Sequence, residues 1–97
     1  MSTPIEHNHT LPLAVGYEDR SALLGLGDRE VLTLSDECER WLAAMEEFRL
    51  ELVTEVAQTE WRVVMSGDIR RVSEARDRLH AELTARASLA AHTRSQR

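Results

Sequence analysis

The residues of this chain that could do chemistry are few and scattered. His7 and His9 flank Asn8 with Glu6 alongside, a spacing that can offer two imidazoles to a metal ion. A defined metal site needs further ligands in fixed geometry, and the neighbouring residues supply none, so no metal is expected. Cys38 is the only cysteine, which leaves it without a disulfide partner in the chain and suits a reducing, cytoplasmic setting. A nucleophilic thiol must ionise, and Glu37 and Glu39 on either side oppose that. Cys38 therefore reads as a small buried hydrophobe. His80 sits near Arg76, Asp77 and Glu82, with no Ser or Cys placed at a strained strand-to-helix turn beside it. The Glu-x-x-His arrangement of di-iron bundles is absent as well. Gly25-Leu26-Gly27 lacks the preceding strand and further glycines of a phosphate loop, and Asp28 and Glu30 would repel the phosphate. The expectation is a protein that is not an enzyme and takes no cofactor.

The elements that would position these residues are helical. The stretch 35–65 runs without Gly or Pro. Cys38, Trp41, Met45, Phe48, Leu52, Val56 and Val63 recur along it at the three- and four-residue steps of one helix face. Ser35 is placed to cap the first turn, and Asp36 and Glu37 follow at the positive end of the helix dipole. Ser66-Gly67-Asp68 reads as the stop. A second helix is expected over 69–91, with Ile69, Val72, Ala75, Leu79, Leu83 and Ala90 as its apolar stripe. So short a link favours antiparallel neighbours, with small residues at Ala75 and Ala90 allowing close approach. The fold class is thus mainly α, an antiparallel two-helix hairpin of about 35–65 and 69–91. The core of that hairpin comprises Trp41, Met45, Phe48, Leu52, Val56, Val72, Leu79 and Leu83.

The N-terminal part reads differently. Leu11, Leu13, Val15 and Tyr17 alternate, which is an extended pattern, and Pro12 restricts it to an edge strand or an arm lying across a surface. A short helix is expected near 19–25, with Asp19 as its cap and Gly25 and Gly27 ending it. The chain is one small domain, 1–97, with 1–10 and 92–97 expected to be flexible.

The first long helix carries more apolar surface than one neighbour would cover. Ala43, Leu50, Ala57 and Val64 form a second stripe at seven-residue spacing, with Trp61 beside it and Val53 between the two. A helix packed on one neighbour needs an apolar stripe of roughly 100°. The residues Ala43, Leu50, Val53, Ala57, Trp61 and Val64 are therefore read as a face for a protein partner or for dimerisation. Ninety-seven residues lie near the size at which a single core gives marginal stability, where oligomerisation is a usual remedy.

Charge narrows the partner classes. The net charge of −5 disfavours generic attraction to nucleic acid or to an anionic membrane. No apolar run nears the roughly 18 residues a membrane span requires. No basic segment followed by an apolar core marks a secretory signal. All twelve basic residues are Arg, the usage of a GC-rich, bacterial genome. Through residue 67 acids outnumber Arg thirteen to five; from residue 68 seven Arg face four acids. Packing the two helices antiparallel brings these unlike charges together. Arg70, Arg71, Arg76 and Arg78 are the candidates for an electrostatic contact outside the chain. The sequence therefore favours a small, non-enzymatic interaction protein that masks a partner's surface, of anti-activator or chaperone type. The alternatives are a nucleic-acid-binding helical dimer using the Arg-rich helix, and a structural subunit of a phage or secretion assembly.

Overall fold

The structure, a computed structural model, describes residues 10–95. It is mainly helical, with no strand among the described residues. A 3-10 helix, Leu13–Gly16, is followed by α1 (Arg20–Leu24), α2 (Asp28–Glu51) and α3 (Glu55–Ser95). Two long helices were expected, but their boundaries lie elsewhere. The first starts seven residues before Ser35 and ends at Glu51, and a single second helix then runs through Ser66-Gly67-Asp68.

The start of α2 is set by local chemistry. Gly27, in extended conformation, donates its N–H to the Glu30 carboxylate at 3.3 Å, and Asp28 and Glu30 load the first turn with negative charge. Ser35, expected as the cap, is a buried residue within the helix. The break at 52–54 is a capping event. Thr54 accepts the Ala57 N–H on its hydroxyl at 3.1 Å and the Gln58 N–H on its carbonyl at 3.1 Å. The Gln58 side-chain amide reaches back to the Leu52 carbonyl at 2.9 Å. No glycine adopts positive φ, so Gly67 continues the helix instead of ending it.

The expected extended arm is also different. Pro12 is extended, but Val15 and Tyr17 then donate to the Pro12 and Ala14 carbonyls at 3.2 and 3.1 Å. A lone extended segment has no ladder to satisfy its backbone, and the 3-10 turn satisfies it locally. The alternation consequently fails: Ala14 is buried, while Leu13 is exposed.

Ion pairs connect the two long helices. Asp28, at the start of α2, accepts from Arg86 at 2.7 Å, and Glu39, further along, meets His80 at 3.4 Å. The start of α2 thus meets residues late in α3, and the two helices are separated in sequence by 52–54. The buried cluster comprises Val31, Leu34, Cys38, Trp41 and Met45 from α2, and Met65, Val72, Ala75 and Leu79 from α3. Ala14 and Leu23 close it from the N-terminal side. The core thus occupies the middle of the rod, between the link and the projecting residues 87–95, where the 3-10 helix, α1 and both long helices meet.

Candidate interaction surface

Four side chains anchor the side of the core away from the link. The Glu82 carboxylate is buried on α3 and accepts from Arg20 Nε at 3.3 Å and from Arg86 Nε at 2.8 Å. Arg86 also donates to the Leu23 carbonyl at 3.0 Å, so one guanidinium joins α1, α2 and α3. The Arg86 hydrogen bond, ahead of the smaller one from Arg20, holds the Glu82 carboxyl below its ordinary pKa. Arg78 Nε donates to the Tyr17 carbonyl at 3.2 Å and pins the N-terminal segment to α3.

The end at the link is built differently. No residue between 46 and 64 is fully buried. Leu50, Val53, Val56, Val63 and Val64 are between 67% and 95% exposed. Phe48, Leu52, Ala57 and Trp61 are partly buried, and Trp61 packs against the edge of the core. The described part of the N-terminal segment, residues 10–17, packs against the core and not at this end. Arg78, to which Tyr17 is tied, lies seventeen residues from Trp61 on α3, about 25 Å along the helix.

The break at 52–54 redistributes the expected faces. Ala43 and Leu50 lie exposed on α2, whereas Ala57, Trp61 and Val64 belong to α3, and Val53 stands in the link. Trp41, Met45, Val72 and Leu79 are buried, as a core would have them, and Phe48, Leu52 and Leu83 are partly so. Val56, expected inside, is exposed, because the capped break resets the helical phase and turns Val56 and Val63 to the outer side of α3. Ala90 likewise lies outside the packed region: α2 begins opposite Arg86, and residues 87–95 project beyond it, exposed throughout. Sequence reasoning missed Glu82 and Arg86 as a tether, since nothing in their local spacing reveals Leu23 or Asp28 as partners.

The carboxylates at the open end are largely unspent. Arg49 is paired with Glu46, whereas Glu47, Glu51, Glu55 and Glu60 are exposed and have no ion pair among the described residues. The basic candidates divide into two pairs. Arg76 approaches Glu39 and Asp77, and Arg78 is held by Tyr17, but Arg70 and Arg71 are exposed and have no ion pair among the described residues. The Cys38 thiol is buried, and its pKa is pushed up by desolvation first and by Glu37 and Glu39 next. Among the described residues no group of three or more His, Cys, Asp or Glu is placed to hold a metal ion, and no helix is long and apolar enough to cross a membrane. His7 and His9 fall outside the described residues. Compared with known proteins, the chain matches no family model, no curated protein and no solved structure.

Proposed function

We propose that this protein is a non-catalytic protein–protein interaction module, a regulator of anti-activator or chaperone kind. It acts by covering a surface that its partner, such as a transcription regulator, needs for its own contacts. The supporting observation is the open end of the rod, where five large aliphatic side chains lie mostly exposed around the link between two helices. Apolar patches of this kind mark sites of association, and a partly packed Trp beside them is a typical source of binding energy. In the free protein a second copy of the chain shields this end, and the target displaces it.

The test uses Leu50→Glu and Val63→Glu, two outer positions whose side chains do not build the core. Circular dichroism should report an unchanged fold. Sedimentation should report a shift from dimer to monomer, and capture of the native partner should fall with it. Unchanged self-association together with unchanged capture in both variants would overturn the reading. Arg70 and Arg71, exposed and without an ion pair among the described residues, support a second reading as a nucleic-acid contact. Its mark is an affinity for duplex or single strand that falls steeply with salt and flattens in Arg70→Ala.

A further inference from the structure

We infer that the partner element covering the open end is a short cationic amphipathic helix. This rests on the interaction-module reading above and adds the chemistry of the occupant. The apolar surface supplies one half of the argument: Val56 and Val63 lie seven residues apart on the exposed side of α3, with Val53 and Leu50 beside them at the link. An amphipathic helix laid on such a surface buries its own apolar stripe at three- and four-residue spacing. The second half is the rim. Between residues 46 and 62 five carboxylates stand against two Arg, a local charge of −3. Arg49 is already taken by Glu46, so Glu47, Glu51, Glu55 and Glu60 stand without an ion pair among the described residues, near the apolar patch. Glu60 lies between Val56 and Val63 on the same side of α3, which puts a carboxylate inside the contact rather than at its margin.

That charge discriminates among occupants. A second copy would bring two rims of the same sign together, so self-association is opposed by repulsion that salt relieves. An anionic lipid surface is repelled for the same reason. A helix carrying Arg and Lys beside its apolar stripe gains where those two lose. Its length is bounded as well. The sign reverses at Arg70 and Arg71, about 15 Å beyond Glu60 along α3, so a basic run longer than about three turns would meet like charge.

The experiment uses the full chain and two designed peptides of about 14 residues, roughly the reach of that basic run plus one turn. Both carry the same Leu stripe, one with Arg and Lys on its polar face and the other with Glu and Asp. The basic peptide should bind at least about tenfold more tightly, with an affinity that weakens as salt rises, while the chain's own dimer strengthens with salt. The Glu47→Gln, Glu51→Gln, Glu55→Gln, Glu60→Gln quadruple variant should bring the two peptides to within about twofold of each other. Glu18→Gln with Asp36→Asn, exposed acids elsewhere on the rod, should leave the preference intact. Equal binding of both peptides, with Val63→Glu abolishing both, would overturn the cationic helix and leave the interaction surface standing. Binding of neither peptide, with self-association indifferent to Val63→Glu, would remove the surface itself. A dimer that tightens with salt and excludes the basic peptide at every ionic strength would make the second copy the occupant and overturn the inference.

Discussion

Glu82 is a carboxylate buried between two guanidinium groups, and its protonation is linked to the fold. Its pKa in the folded protein lies below its ordinary value because Arg86 hydrogen-bonds the ionised form. A carboxyl whose folded pKa is depressed contributes stability that is present above its unfolded pKa of about 4.3 and lost as pH falls through the folded value. Thermal midpoints measured from pH 7 downward should therefore drop through the acid range in the parent protein. The drop should be shallower in Glu82→Gln, which is less stable at pH 7 and converges on the parent at low pH. The Cys38 thiol gives a complementary expectation at the opposite end of the scale. Buried and held protonated by its surroundings, it should react with a thiol-specific reagent at neutral pH only as fast as the protein unfolds.

At the scale of the helix, Gly67 separates two readings of the same sequence. Inside a continuous helix, with nothing near the position its Cβ would occupy, Gly67→Ala should stabilise by about 0.5–1 kcal/mol. That raises the midpoint by a few degrees for a chain of this size. At a left-handed helix end the same change would destabilise, so the sign of the shift reports which is present. Thr54→Ala, by contrast, removes the cap of α3 and should cost about 1 kcal/mol. The spacing that buries Cys38, Trp41 and Met45 was legible because helical periodicity is a local property of the chain. The position of the break was not. Thr54 sits in a run free of Gly and Pro, and its capping preference is worth about as much as the glycine penalty at Gly67. Two local effects of similar size and opposite tendency leave the decision to tertiary packing, which sets Met65, Val72, Ala75 and Leu79 against Trp41 and Met45. The candidate face followed the same logic. Leu50, Val53 and Val64 were legible as excess apolar content, whereas the exposure of Val56 and Val63 depends on the phase reset after Thr54.

At the scale of the whole molecule, the described residues form a rod of 60 × 26 × 18 Å with a radius of gyration of 17.0 Å. A compact chain of this length would have a radius of about 12.5 Å. Its length is essentially that of α3, whose forty-one residues span about 60 Å. Cohesion is concentrated where four elements meet. Leu79→Ala, at a fully buried site there, should cost about 2–5 kcal/mol, a large share of a small domain's stability. Val56→Ala, beside the link, should change stability by less than about 0.5 kcal/mol. Urea denaturation of the pair measures that contrast.

The absence of any fully buried residue between 46 and 64 also shapes how the rod opens in time. Deuterium uptake followed by mass spectrometry should run as a gradient, with peptides spanning the link and the projecting residues 87–95 labelled first and those around Val72 and Leu79 last. An end that breathes while the core stays shut can remould its backbone to a visitor without dissolving the rest of the protein.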